Sequence, residues 1–474
     1  MKSIFLHIDY NSYFATVEQQ ANPRLRGKPI AVTGGDRMER TVVGAASIEA
    51  KALGVKTGMP VFEAIRVCPQ IILVRGDSDK YLACTKRFIN ILKDYSPLME
   101  IFSIDEAFVE LRFPSGIPRF VRKNVNMTNG SPSVVGDDGG RRHDRSVWND
   151  MSAVTDGYAS CGIEEKDFDD VAWNYAIQIA IEIKERIRQE IGEWIRVSIG
   201  ISYNKTLSKL AGSRQKPDGL QIIADEEAAM MVLDQISFDE ICGIGPRTKK
   251  HLFNMGICDF PTLRKIPLSI LLAAFKSYGN FLYNIARGEN YDVLVPFYEK
   301  EEVKSVGHQH TLSKDINDVF ELQQTLLKMS EMVAKRLRDK NLIGKTVVCF
   351  FRSAYNEEYF QTTGHQFYSN GMQTTVIPTG DGLEIFKAAW SSFIKMWDKE
   401  NVRLLGVSVS NVQNKYESTL SLLPEVNRIE KITEVLDKVN DRFGDFTLRR
   451  GTLLGASGFR RKPNPFMSDR RFKI

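Results

Sequence analysis

What this 474-residue chain lacks narrows its class first. Six cysteines (Cys68, Cys84, Cys161, Cys242, Cys258 and Cys349) are scattered without a C-x-x-C pair, which argues against a disulfide frame or zinc ribbon and for reduced thiols. No apolar run approaches the roughly 20 residues that a helix needs to span a bilayer. The opening MKSIFLHIDYN meets an acid at Asp9 before any signal-like apolar core forms, so a cytoplasmic protein without membrane association is expected. The other metal-like spacing, His308-x-His310, fits strand alternation as well as it fits zinc.

What is present is ordinary globular material, 43% hydrophobic and 26% charged, long enough for about three or four domains. A formal net charge of +5 permits a nucleic-acid partner without demanding one. Charge is unevenly placed: between 449 and 474, Lys or Arg stands at 449, 450, 460, 461, 462, 470, 471 and 473, against the single acid Asp469. That end reads either as a solvated tail or as a phosphate-attracting one.

Patterning along the chain mixes α and β segments. SIFLHIDYNSYFATVEQQ reads as a strand ending at Asp9, a turn, and a helix carrying Tyr13, Phe14 and Val17. GKPIAV (27–32) and TVVGAAS (41–47) read as strands, IEAKALGV (48–55) begins a helix, and a further helix holds Tyr81, Lys86, Arg87, Ile91 and Leu92. Residues 114–171, rich in Gly, Ser, Asp and Asn, read as a long surface insertion. A helix over 172–191 and a strand over 196–202 lead to the basic segment YNKTLSKLAGSRQKPDG. Beyond about 225 the pattern is helical. From 303 the order is a strand, a helix over 318–340, strands near 345–352, 358–364 and 373–377, a helix over 382–398 and a strand over 402–410. Such an order predicts a small sheet of four or five strands backed by two helices.

The stretch IFSIDEAFVEL (101–111) sets Asp105 beside Glu106 inside an apolar, strand-like run. Neighbours in a strand point to opposite faces, so the two acids reach one ligand only if the strand turns between 103 and 106. Together with Asp9 at another strand's end, they are the minimum set for holding two Mg²⁺ ions. Such a pair activates an attacking hydroxyl and stabilises the oxygen leaving phosphorus. Acids at strand ends are also common without a metal. GIGPRT (243–248) is more specific: a short helix, a Gly-x-Gly hairpin, and a helix opening at Pro246. It reads as a helix-hairpin-helix whose backbone N–H groups grip nucleic-acid phosphate, against the alternative of an ordinary tight helix connection. KSYGNFLYNIARG (276–288) has the look of a degenerate second copy.

HIDYNSYFATVE, IEAKALGVKTGMP, FSIDEAFVEL, GISYNKTLSKLAGSRQKPDG and GIGPRTKKHL, in that order, resemble the Y-family of DNA polymerases; VKSVGHQHTL and VRLLGVSVS extend the likeness, most closely to its bacterial polymerase IV branch. The resemblance implies an α+β, multidomain right-hand polymerase. Its expected parts are a ferredoxin-like palm (1–11 and 78–224, interrupted by the insertion), small fingers (12–77), a helical thumb with the hairpin motif (225–297), a linker (298–303), a little finger (304–412) and a tail (413–474). It makes Asp9, Asp105 and Glu106 catalytic metal ligands, with the Tyr10 backbone carbonyl as a further contact. Phe14 becomes the steric gate against a ribose 2′-hydroxyl. Tyr13, Phe14, Lys51 and Lys209 become triphosphate contacts, flanked by Lys205 and Lys216, and Gly243, Gly245 and Arg247 become DNA contacts. The implied reaction adds deoxynucleotides to a primer 3′-hydroxyl with low fidelity and bypasses damaged templates. Partners would be primer–template DNA and deoxynucleoside triphosphates, with a monomeric enzyme.

Two departures stand out. Many family members carry Tyr and Arg where this chain has Ile48 and Lys51; isoleucine donates no hydrogen bond and lysine lacks the arginine fork. IEAKALGVKTGMP is instead similar to the polymerase V catalytic subunit. In the tail, STLSLLPE (418–425) resembles the peptide by which bacterial polymerases dock on the sliding clamp, with Leu420, Leu422 and Leu423 as apolar anchors. Thr419 and Leu423 stand where glutamine and phenylalanine are usual. Two rivals stay open: a nucleotidyl cyclase, which has no use for a backbone-gripping hairpin, and a catalytically impaired DNA-binding or clamp-associated protein.

Overall fold

Strand β1 (Lys2–Tyr10) alternates as a period of two requires: Ile4, Leu6 and Ile8 are fully buried on one face, while His7 and Asp9 share the other. Each such aliphatic side chain contributes about 1.5–3 kcal/mol on burial. The structure, a computed structural model, describes residues 2–34, 41–113, 165–289, 292–299, 302–363, 367–417 and 424–454. Two compact units divide near residue 299.

In the first unit, β1 leads to α1 (Tyr13–Ala21), β2 (Ile30–Thr33), β3 (Val43–Ala46), α2 (Ile48–Ala52), α3 (Val61–Val67) and β4 (Ile72–Arg75). Next come α4 (Ser78–Lys93), β5 (Met99–Ile101), β6 (Glu106–Phe113), α5 (Glu165–Arg186), β7 (Val197–Ser202), α6 (Lys205–Arg214) and β8 (Leu220–Ile223). A five-stranded sheet runs β5-β6-β1-β7-β8, and a three-stranded sheet runs β3-β2-β4. The second sheet closes its own core around Val43, Ala46, Val55, Val61 and Ala64.

Helix α6 lies on the Asp9 face of the larger sheet. A Cβ on Gly200 of β7 would come within 2.0 Å of the Ser208 carbonyl and 2.2 Å of the Gly212 nitrogen, so helix and strand touch backbone to backbone. Asn204 caps α6 by accepting from Leu207 N–H at 2.9 Å, and its amide donates to the Gly288 carbonyl. The outer face of α6, with Leu207, Leu210 and Ala211, joins the core of five helices: α7 (Glu226–Leu233), α8 (Pro246–Asn254), α9 (Phe260–Lys265), α10 (Leu268–Phe275) and α11 (Tyr278–Ile285).

The second unit holds β9 (Ser305–Ile316), α12 (Val319–Asp339), β10 (Leu342–Ser353), α13 (Glu357–Thr363), β11 (Ser369–Thr379), α14 (Gly382–Met396) and β12 (Val402–Asn414). Its sheet order is β11-β10-β12-β9, with α12 and α14 burying Leu326, Val333, Ile385 and Phe393 against Val347, Phe351 and Val407. A strand is expected near 358–364, but the chain there is α13. Asn356 accepts from Tyr359 N–H at 3.0 Å and two acids fill the first turn, a helix start that outweighs the aromatic residues. Likewise α5 begins at Glu165, seven residues before the expected start, because the acid-rich stretch suits a helix's first turn.

The tail is structured as well. Helix α15 (Pro424–Phe443) docks through Asp437, which accepts from Arg338 Nε at 2.6 Å and Nη2 at 2.8 Å. Farther on, Arg450 pairs with Glu331 and Asp381, so this part of the basic end is not a solvated tail. Residues 114–164 of the insertion expected over 114–171, the clamp-like Leu420, Leu422 and Leu423, and the basic residues beyond 454 lie outside the described residues.

Candidate active site

The adjacent acids are reconciled by a turn. β5 ends at Ile101 and β6 begins at Glu106; the N–H groups of Phe102 and Ser103 both donate to the Glu106 carbonyl at 3.1 Å. The tight hairpin expected at 103–106 is therefore present, with a strand on either side. Antiparallel pairing sets Asp9 directly opposite Glu106, and Tyr10 N–H donates to the Asp105 carbonyl at 3.0 Å.

Ligand atoms of His7, Asp9 and Glu106 all lie within 4.8 Å of one another. The neighbouring cations come from the segment that begins with α6: Lys209 Nζ donates to Glu106 Oε2, and Lys216 Nζ to Asp9 Oδ1 at 2.8 Å. The His7 ring meets the same Glu106 oxygen with Nε2 at 3.0 Å. Burial raises the Glu106 carboxyl, but the His7 hydrogen bond and the Lys209 ammonium outweigh it and hold the group well below the usual carboxylate range. Burial pushes His7 down, against the pull of the Glu106 hydrogen bond. Asp105 stands apart from that trio. Its carboxylate accepts from Ser103 Oγ, and burial, aided by the charges of Asp9 and Glu106, raises it to about 6.

Other sequence-predicted residues divide between the site and the core. Lys51 on α2 reaches the field of the acids: its ammonium is shifted down by burial and then by Lys216, while Asp9 and Asp105 pull it up. Phe14 is half-buried and stacks on Tyr81, centroids 4.6 Å apart. Tyr13 is a core residue, 3% exposed, whose hydroxyl donates to the Tyr81 carbonyl at 2.7 Å; its ring cannot be the group that meets a triphosphate. Lys205 points elsewhere, into a half-buried pair with Glu100 at 2.7 Å. His308, on β9, faces Arg336 at 3.1 Å, a cation that discourages a metal there.

The GIGPRT turn is built as its glycines suggest. Gly243 has φ +105°, a left-handed conformation that favours glycine, and its carbonyl is held by the Tyr278 hydroxyl at 2.7 Å. Gly245 is the N-cap of α8 with Pro246 in the first position and Arg247 exposed. A cleft of about 380 Å³ runs between this turn and α6, lined by Lys209, Ser213, Asp239, Cys242, Gly243 and Gly245. Helices α10 and α11, joined through Lys276 and Ser277, form a second tight connection at the suspected repeat.

Sequence reasoning passed over His7, although its spacing of two from Asp9 on a strand puts both on one face. A histidine in an apolar strand reads first as core.

The fold is that of a polymerase hand: a solved Y-family DNA polymerase chimera superposes with a TM-score of 0.62 over 86% of this chain and 99% of its own, at 23% identity. The impB/mucB/samB family model matches residues 8–213, and the model of that family's C-terminal domain matches 303–422. DNA polymerase IV of Pelotomaculum thermopropionicum is 30% identical over 98% of both chains; that of Moorella thermoacetica is 30% identical over 95% of this chain and 96% of its own. The chain thus belongs to the impB/mucB/samB family of Y-family DNA polymerases, DNA-directed enzymes of translesion synthesis, on the polymerase IV branch. Among the described residues, no helix is long and apolar enough to cross a membrane.

Proposed function

We propose that this protein extends a primer 3′-hydroxyl by template-directed, two-metal phosphoryl transfer with low fidelity, with Asp9, Asp105 and Glu106 as the catalytic metal ligands. The observation that carries the reading is the in-register pair Asp9 and Glu106, with Lys209 and Lys216 as their present counter-charges. The donor set suits Mg²⁺, which prefers oxygen ligands: the facing carboxylates of Asp9 and Glu106 lie within 4.8 Å of each other, and Asp105 and the Tyr10 carbonyl at the end of β1 are the further oxygens proposed to join them. When bound, two Mg²⁺ ions would supply activation of the primer hydroxyl and neutralisation of the leaving pyrophosphate.

The chain's own residues do the rest. Lys209 exchanges Glu106 for the incoming triphosphate, a point-charge role that lysine fills well. Lys51 approaches from the α2 side, and the first N–H groups of α1 at Tyr13 and Phe14 offer donors to phosphate. The Phe14 ring, backed by Tyr81, excludes a ribose 2′-hydroxyl. Gly243, Gly245 and Arg247 grip the DNA backbone. The parts are a palm on the five-stranded sheet, fingers on the three-stranded one, a helical thumb and a little finger. The enzyme works as a cytoplasmic monomer, and Leu420, Leu422 and Leu423 dock on a sliding clamp.

Primer extension with Mg²⁺ and four deoxynucleotides tests the reading; a wild-type protein that adds no nucleotide sinks it. A Phe14→Ala variant that takes ribonucleotides no better would remove the gate assignment. Clamp-stimulated extension that survives alanine at 420, 422 and 423 would remove the docking peptide.

A further inference from the structure

His7 is one residue the mechanism leaves unused, and its surroundings are closed. His7 is 1% exposed, its ring packed on Phe108 with centroids 4.7 Å apart and covered by α6, where a Cβ on Gly212 would stand 3.3 Å from Nδ1. Nδ1 is buried without a hydrogen-bond partner among the described residues, whereas Nε2 meets Glu106 Oε2. A ring nitrogen 3.0 Å from a carboxylate oxygen has to be the donor of the pair, because an ionised carboxylate only accepts. The proton therefore belongs on Nε2, and the ring is a fixed donor to one carboxylate oxygen.

Lys209 donates to that same oxygen, and none of the described hydrogen bonds uses Oε1. The two donors differ in freedom. Lys209 ends a flexible stem and is 23% exposed at the side chain; the His7 ring has no room to turn.

We propose that His7 is the positioning residue for Glu106, holding Oε2 through its Nε2–H so that the carboxylate keeps its orientation when Lys209 leaves for the triphosphate. The proposal rests on the polymerase reading, since it gives Lys209 a second acceptor. A neighbour that orients a metal-binding carboxylate changes metal affinity, not merely folding.

The test uses the full chain and Mn²⁺ as a paramagnetic probe, without DNA or nucleotide. His7→Leu, which removes the donor, is expected to weaken Mn²⁺ binding by about tenfold and to raise the half-saturating Mg²⁺ for extension in parallel. His7→Gln, whose amide can place an N–H near the lost Nε2, is expected to stay within about threefold of wild type. Unchanged Mn²⁺ affinity in His7→Leu overturns the proposal. So does His7→Gln binding as weakly as His7→Leu while both melt like wild type. Should the leucine variant not fold, nitrogen NMR of the wild-type ring decides: a proton on Nε2 is expected, and a ring bare at Nε2 overturns it. Primer extension by wild type, run alongside, tests the polymerase reading separately.

Discussion

Ion pairs hold together two regions of this molecule, and the choice of cation separates them. In the second unit, Arg338 clasps both oxygens of Asp437, and Arg450 bridges Glu331 and Asp381 to keep the tail in place. At the acid site the cations are lysines, each on a single oxygen: Lys209 on Glu106 and Lys216 on Asp9. A planar fork fits one geometry and stays; an ammonium is a point charge on a flexible stem and can change partner. The tail pairs are fastenings; the site pairs, in the function proposed above, give way to charge that arrives with substrate.

The comparison is broken most forcefully at the acids. Glu106→Ala is expected to lower primer extension by at least about a thousandfold, measured in single turnover, while the protein still binds primer–template; a loss under tenfold would remove Glu106 from the chemistry. Lys209→Arg tests whether the lysine gives way. The variant should melt no lower than wild type, because arginine also pairs with Glu106, yet extend primers about 10- to 100-fold more slowly, since a fork that stays on the carboxylate is unavailable to phosphate. Wild-type rates in that variant would erase the distinction between the two regions.

Asp105 gives a pH signature. Its carboxyl is raised from 3.8 to about 6, chiefly by burial, so the native state binds a proton that the unfolded chain releases. That stabilisation is full below pH 4 and lost as pH rises through 6; above it, the buried charge costs stability. In metal-free buffer at pH 7.5, Asp105→Asn should therefore unfold with about 2 kcal/mol more stability than wild type, while extending primers poorly. The difference should vanish below pH 4 in denaturant titrations, and an equal gain at both pH values would contradict the burial argument. Arg338→Lys is smaller: about 1 kcal/mol of second-unit stability through the lost fork, read as a lower melting temperature with extension on short templates intact. Smallest is Arg247→Ala, expected to weaken primer–template binding about threefold and to lower the salt dependence by about one phosphate contact.

Much of the site was legible because chemistry left marks on local patterning. Asp105 and Glu106 could not share a ligand in a continuous strand, so a turn was required, and one lies there. Gly243 and Pro246 announced a helix connection by their backbone preferences alone. What stayed hidden depends on contacts far apart in sequence. His7 is joined to Glu106 by strand pairing across 99 residues, and Lys205 is diverted to Glu100 across 105. Misplaced elements share another cause: both α13 and the first turns of α5 are acid-rich helix starts without a clear apolar period, which read as strand or loop when periodicity is weighed above capping.

The touch of α6 on β7 at Gly200 and Gly212 has a consequence for how this enzyme can change over time. A methyl group on Gly200 would have to be absorbed by the backbone of α6, lifting the helix that carries Lys209 away from the acids, and one on Gly212 would press on the Gly200 nitrogen at 3.1 Å. That seam is closed to gradual adjustment. On the α2 side, Ile48 is half-buried and Lys51 exposed on a five-residue helix beside a small separate core, so substitution there displaces no such backbone contact. If Lys51 meets the nucleotide as proposed, divergence in how tightly relatives hold it should accumulate on α2, leaving the glycine seam as inherited.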